Sequence, residues 1–330
     1  MTVCELIYER ERNTLSEFAF LTENTRGRDY PINKCDLRGE FQRDRDRIIH
    51  SKSFRRLMHK TQVFLSPEAD HYRTRLTHTL EVSQVARTIA RALRLNEDLA
   101  EAVALGHDLG HTPFGHAGER VLRKCYDPSF AHYNQSIRVV EKLEKLNLTY
   151  EVRDGILHHT TGGASTLEGR VILEADHIAY INHDIDDACR AGILRVSDIP
   201  RELCEILGNT HSERISRMVS SVIENGAERI AMTGEIGEAT TALRQFLFDR
   251  VYYNPAAKKE ECKEKALLAS LFDYFCKYPA KMPEFYRNRI ETDGTERCVC
   301  DYISGMTDRY AIDLYEELFI PKVWSGTSGT

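Results

Sequence analysis

The sequence predicts an all-α fold. Apolar residues recur at helical spacing through most of its 330 residues, and Gly, Pro and Asn breakers separate those stretches. Convincing runs of alternating apolar and polar residues are missing, so any β structure is small. With 42% apolar residues the chain has ample material for a core. The length exceeds a typical domain, yet an all-helical body of two lobes accommodates it.

Three zones follow in order. Residues 1–45 read as a polar, irregular arm, running into the charged stretch 42–47. Residues 46–195 read as a histidine-rich helical core, and ten of the chain's thirteen histidines fall between His71 and His183. Residues 196–330 read as a C-terminal helical lobe, with amphipathic stretches near 213–223, 239–251, 260–278 and 311–318 and a frayed tail from Trp324 to Thr330.

Within the core, His78 heads an apolar stripe. Steps of four, three and four lead from it to Val82, Val85 and Ile89. A second helix starts at Asn96, a cap residue followed by Glu97 and Asp98 in the first turn. Its inner face reads Leu99, Val103, His107, which brings His107-Asp108 to its C-terminal end. The densest stretch comes next: His107, Asp108, His111, His116 and Glu119 fall within thirteen residues, with glycines and Pro113 between them. Further on, Asp176, Tyr180 and Asp184 share one helix face at i, i+4 and i+8. Any one of these histidines by itself reads as an ordinary core or surface residue. Several imidazoles and carboxylates aimed into one core need a common partner, and a divalent cation takes this donor set.

Composition narrows the class. A net charge of −6 argues against a dedicated nucleic-acid coat protein, although the basic residues from Arg38 to Arg47 leave room for an accessory single-stranded nucleic-acid contact. Nine cysteines, an odd and scattered set, read as reduced thiols of a cytoplasmic protein. Cys298 and Cys300 are the one close pair, and without a second pair or a nearby histidine they make a weak zinc site. No apolar run reaches membrane length, and the N-terminus is charged rather than signal-like. Arg55, Arg56 and Lys60 form either a phosphate cradle or a solvated basic helix face.

His78, His107-Asp108 and Asp176 together resemble the ligand set of the HD-domain metal-dependent phosphohydrolases. The flanking blocks narrow the resemblance. Phe54-Arg55-Arg56-Leu57, Lys60-Thr61-Gln62-Val63-Phe64, the run from His107 to Glu119, Ala175 to Tyr180, His183 to Ala188 and Gly305 to Ala311 are similar, in order, to the deoxyguanosine triphosphate triphosphohydrolase (dNTPase) family.

The resemblance implies an HD-domain helical core with an additional C-terminal helical lobe. It implies hydrolysis of a deoxynucleoside triphosphate to deoxynucleoside and tripolyphosphate. His78, His107, Asp108 and Asp176 would hold one divalent ion, Mg²⁺ or Mn²⁺. His111 and His116 would meet the phosphate and the scissile oxygen, with Glu119 beside His116 and His132 as a further histidine at the phosphates. Arg75 would contact phosphate, Gln62 and Asp184 the sugar 3′-hydroxyl, and Tyr180 would pack where a 2′-hydroxyl needs space. Partners implied are the nucleotide substrate, a nucleotide effector and other copies of the chain, as tetramers or hexamers, with no membrane.

Two departures stand out. His177 occupies a position where some animal relatives carry a phosphate-contacting lysine. His158-His159 precede Asp176 where certain HD phosphohydrolases hold a second metal; the flanking blocks favour one. The alternatives are an HD nucleotidase or phosphodiesterase acting on monophosphates, cyclic nucleotides or hyperphosphorylated guanosine, and a nucleotide or nucleic-acid sensor with little turnover.

Overall fold

Side-chain caps mark where many of the helices begin. Thr2 accepts the Glu5 amide at the head of α1 (Val3–Thr14), and Ser51 caps α3 (Lys52–Arg56), which follows α2 (Glu40–Ile49). Thr74 caps α4 (Arg75–Ala92) and Asn96 caps α5 (Glu97–Gly106), as the sequence predicts for Asn96. Then come α6 (Gly115–Cys125), α7 (His132–Arg138), α8 (Tyr150–His158) and the long α9 (Leu167–Arg190). The C-terminal part adds α10 (Arg201–Leu207), α11 (His211–Asn225), α12 (Gly234–Leu247) and α13 (Pro255–Lys277). It closes with the short α14 (Glu284–Arg287) and α15 (Ile290–Asp293), then α16 (Thr295–Ser304) and α17 (Asp308–Phe319).

This computed structural model describes residues 1–62, 73–252 and 254–322. The expected frayed tail, His71, and Val63 and Phe64 lie outside them. Among the described residues there is no strand, only isolated bridges between Arg28 and Thr149 and between Thr61 and Thr74. The fold is all-α. No helix among these residues is long and apolar enough to cross a membrane. All nine cysteines are free thiols, and Cys298 and Cys300 are buried.

The apolar residues gather into two buried clusters. The larger packs α4, α5, α8 and α9 together with α2, α11 and α12, around residues such as Val82, Val103, Ile156, Ile178 and Leu243. The smaller joins α6 to α13, α16 and α17 through Phe114, Val121, Leu122, Phe272, Phe275 and Ile303. This partition does not follow the expected division at residue 195. Helices α11 and α12 complete the first cluster, while α6, from the middle of the chain, belongs to the second.

The N-terminal segment is a correction. Residues 1–45 are not an irregular arm: they include α1 and the start of α2 and are stitched to the core. Glu11 accepts the amide and hydroxyl of Thr22 at 2.7 and 2.6 Å, and Arg28 donates to Glu40 (2.7 Å), to Asp44 and to the Asn147 carbonyl (2.6 Å). The polar side chains look inward at one another, which composition cannot reveal. The basic run is likewise engaged within the chain. Arg38 pairs with Asp46, Arg43 with Glu40, Arg45 with Asp46 and Glu101, and Arg47 donates to the Leu146 carbonyl. Each of these arginines thus has a partner within the chain, with Arg38 still half-exposed.

Candidate functional site

Three mutually packed helices supply the expected ligands. His78 lies in the first turns of α4, His107 caps the C-terminus of α5 with Asp108 next to it, and Asp176 sits midway along α9. Ligand atoms of His78, His107 and Asp176 all lie within 4.8 Å of one another. His78 Nε2 is 3.1 Å from Asp176 Oδ1, and Asp108 Oδ2 is 3.6 Å from His107 Nε2 and 4.0 Å from His78 Nε2. His107 Nδ1 sits 2.6 Å from the Ala104 carbonyl, which only accepts, so the ring proton is on Nδ1. Its Nε2 is therefore a lone pair, buried and without a partner. Unsatisfied donors and acceptors at this depth are costly, and a divalent cation is the partner this donor set fits. Burial pushes the Asp108 and Asp176 carboxyls up, but the surrounding imidazoles, with Arg75 at Asp108, overcome it and hold both below the ordinary range.

Beside this cluster stand the histidines of the dense stretch. Phe114 takes the left-handed conformation (φ +57°) and turns the chain into α6, where His116 and Glu119 sit one turn apart. A Cβ at Gly110 would come within 2.1 Å of the Ser136 backbone nitrogen, so only glycine lets α7 approach and deliver His132. Glu119 is buried; its Oε2 lies 3.2 Å from His132 Nδ1 and 3.4 Å from His116 Nδ1, and its Oε1 accepts from Arg123 at 2.5 Å. One carboxylate thus orients two imidazoles, each with Nε2 on the side of the ring away from Glu119, that of His132 facing His159. His116 is 71% exposed at its side chain, whereas His111 is buried and stacks on His132 with centroids 4.8 Å apart. Burial and the Arg75 charge hold His111 well below the usual imidazole range, and thus neutral.

Arg75 is buried and braced on Asp108 at 2.5 Å, with its Nε unpartnered. Gln62 Oε1 is also buried and unpartnered, and the Gln62 carbonyl and the Arg75 guanidinium flank Gly115. On α9, the Tyr180 hydroxyl faces the Arg244 guanidinium without an aligned hydrogen bond among the described residues. Asp184, 2% exposed, accepts the hydroxyl of Tyr252 and lies 3.2 Å from His183 Nε2 without hydrogen-bond alignment. His177 packs edge-on to Tyr180, with centroids 5.7 Å apart.

A continuous series of ring contacts joins these groups. From His183 it passes to His78, His107, His159, His132, His111 and His116, with successive centroids 5.1, 5.5, 5.0, 5.3, 4.8 and 5.5 Å apart.

Sequence reasoning gave no role to three of the residues now seen here. Tyr252 reaches Asp184 from beyond α12, and Arg244 stands 6.0 Å from the Tyr180 ring centre. His183 is wholly buried between Glu81 (2.8 Å) and Asp184; burial opposes its charge, but the two carboxylates overcome it and raise it to about 9. Lys60, read from the sequence as part of a phosphate cradle or a solvated basic helix face, is a correction. It is no part of a basic face with Arg55 and Arg56: it is 2% exposed and donates to the His111 and Ser304 carbonyls. Arg56 instead pairs with Glu144, and Arg55 donates to the His50 carbonyl. Of the His158-His159 pair only His159 enters the site, where burial pushes it down to about 3. His158 turns to Asp154.

The fold and this cluster define an HD-domain protein: residues 75–181 match the HD domain model, and residues 230–317 match the phosphohydrolase-associated domain. The chain is 58% identical over 331 residues to a deoxyguanosinetriphosphate triphosphohydrolase-like protein of Caldanaerobacter subterraneus subsp. tengcongensis, covering 98% of each. It is 47% identical over 350 residues to one of Desulfatibacillum aliphaticivorans, covering 97% of this chain and 99% of that one. A solved phosphohydrolase of Bacteroides thetaiotaomicron shares the fold, with a TM-score of 0.52 at 15% identity over 82% of this chain and 68% of that chain. This chain belongs to the deoxyguanosinetriphosphate triphosphohydrolase-like family.

Proposed function

We propose that this protein hydrolyses deoxynucleoside triphosphates at the α-phosphorus, releasing the deoxynucleoside and tripolyphosphate. The observation that carries the reading is the contact series from His183 to His116. It joins the cation-fitting cluster, the Glu119-braced imidazoles and the α9 face bearing Tyr180 and Asp184 into one site. The names of the relatives make dGTP the first substrate to test.

In this reading His78, His107, Asp108 and Asp176 hold one divalent ion, Mg²⁺ or Mn²⁺. Such an ion supplies Lewis-acid polarisation of phosphate oxygen and acidifies water. Water attacks the α-phosphorus and loses a proton to solvent, the bond from phosphorus to the sugar 5′-oxygen breaks, and that oxygen takes up a proton. His116 delivers the proton, because Glu119 orients its ring and raises its basicity. Neutral His111, together with Arg75 and His132, meets the phosphates. Gln62 and Asp184 hold the 3′-hydroxyl, and Tyr180 fills the space that a 2′-hydroxyl requires.

One observation favours a second reading, an HD nucleotidase or phosphodiesterase with two metal ions. Nε2 of His132 and Nε2 of His159 lie 3.3 Å apart, while their Nδ1 atoms face Glu119 and the Ile156 carbonyl. With each Nδ1 engaged elsewhere, the two Nε2 atoms either share one proton or are open to a second ion. Incubating the pure protein with each dNTP and NTP plus Mg²⁺ or Mn²⁺ separates the readings. Intact tripolyphosphate with deoxynucleoside supports the first. Orthophosphate or pyrophosphate, with two metal equivalents per chain, supports the second.

A further inference from the structure

The segment from Gly305 to Ala311 has no role in the chemistry above, yet it reaches the site. Asp308 is 6% exposed, at the start of α17. Its own helix is already capped by Thr307, whose hydroxyl accepts the Tyr310 amide. The Asp308 carboxylate turns elsewhere. Oδ2 accepts the Thr61 amide at 2.7 Å and Oδ1 accepts the Phe114 amide at 2.9 Å. Thr61 adjoins Gln62, and Phe114 is the left-handed residue between His111 and His116. No side chain of its own caps the start of α6, so Asp308 supplies the acceptor that this turn lacks.

Two further ties run beside it. Lys60 Nζ bridges the His111 and Ser304 carbonyls, and Gln135, three residues after His132, donates to Asp301 (3.0 Å) and Ser304 (2.9 Å). From α16 and α17, Asp301, Ser304 and Asp308 thus hold every segment that carries Gln62, His111, His116 and His132. Among the described residues, His78 and Asp176 take no bond from these two helices.

We propose that Asp308 is a positioning residue: by bridging Thr61 and Phe114 it sets the spacing between Gln62 and the His111–His116 turn. The C-terminal helices thereby govern turnover without touching the ion's ligands. The proposal rests on the reading above only for which reaction slows.

The test compares wild type with Asp308→Asn, which keeps one acceptor oxygen but turns an NH₂ toward the other backbone N–H. Arg309→Ala, at an exposed neighbour, is the control. Hydrogen exchange by mass spectrometry should speed about tenfold in peptides covering Thr61 and Phe114. Exchange in α4, α5 and α9 and the bound Mn²⁺ per chain should match wild type. On whichever triphosphate the wild type cleaves, kcat should fall about tenfold or more with KM moving less, as expected for misplaced groups. Asp308→Glu should recover part of the loss. Unchanged exchange at both segments, equal loosening of α4, α5 and α9, or loss of Mn²⁺ overturns the proposal. Should Asp308→Asn not fold, Lys60→Gln is read by the same criteria at His111. A wild type that cleaves no triphosphate defeats the functional reading, while the exchange contrast still decides this one.

Discussion

The two sides of the site are built differently. His78, His107 and Asp176 project from α4, α5 and α9, whose packing around Val82, Leu99, Val103 and Ala175 makes the larger buried cluster. Their placement follows from helical period and close packing, and neighbouring side chains restrain each one along its length. Gln62, His111, His116 and His132 stand on short segments and helix starts between the two clusters. The second cluster packs behind α6, and a few bonds from distant residues, such as Asp308 to Phe114 and Lys60 to His111, fix these segments. The difference teaches where precision is spent. A cation needs donors fixed against one another, which packed helices provide; a nucleotide must enter and leave, which suits segments tied at a few points.

The largest effect should come from breaking the packed side. His107→Ala or Asp108→Ala should abolish bound metal and turnover together, because each removes a donor while its buried neighbours stay in place. Metal analysis beside activity checks this, and full occupancy with full turnover in both variants would refute the ligand assignment. Removing the ion should leave the helices folded but less stable. A metal present at about 100 times its dissociation constant contributes roughly 2.7 kcal/mol to the native state, and chelation should lower the melting temperature accordingly.

Breaking the tethered side should give a loss without metal release. His116→Ala should keep the ion and much of the substrate affinity but lose on the order of 10²-fold in kcat, as expected when a positioned acid is removed. Glu119→Gln should lose less, since the His116 ring remains. Should His116→Ala strip the metal, His116 is a ligand, and the separation between the two sides fails.

Legibility in the sequence divides along the same line. The stripe from His78 through Val82, Val85 and Ile89, the Asn96 cap and the face shared by Asp176, Tyr180 and Asp184 could be read because helical period reports which way a residue points. Pairings across the fold could not be read. Lys60 meets Ser304 at a separation of 244 residues, Asp308 meets Thr61 at 247 and Tyr252 meets Asp184 at 68, and no periodic signal names such a partner. The N-terminal segment misled for a related reason: its charges are satisfied internally, so polarity there did not mean solvent.

In the proposed reading the sugar end lies on the packed side, since Asp184 belongs to α9, and variants there should act on affinity and selectivity rather than on metal. Asp184→Ala should cost roughly 1–3 kcal/mol in binding any nucleotide with a 3′-hydroxyl, the range for an unpaired buried partner, and much less for a 2′,3′-dideoxy analogue. Tyr180→Ala should narrow the preference for dNTP over the matching NTP, partly by weakening dNTP turnover. Equal wild-type turnover of dGTP and GTP, unchanged in Tyr180→Ala, would remove the deoxyribose gate.

The smallest effect is expected at Tyr252, and it sharpens the comparison most. Its hydroxyl donates to Asp184, while its ring packs against the larger buried cluster. Tyr252→Phe keeps the ring and deletes only the donor, so metal occupancy and fold should be untouched. Asp184 then loses the group that fixes its carboxylate and keeps the neighbouring His183 charge. Losing one hydrogen bond of this kind costs about 0.5–1.5 kcal/mol, which corresponds to a rise in KM of roughly two- to tenfold for substrates with a 3′-hydroxyl. A dideoxy analogue makes no bond to Asp184, so its KM should not move. An equal shift for both substrates would mean that Tyr252 shapes the cavity in general. A fall in kcat alone would tie Tyr252 to the chemistry, and the packed side would then do more than hold the ion and the sugar.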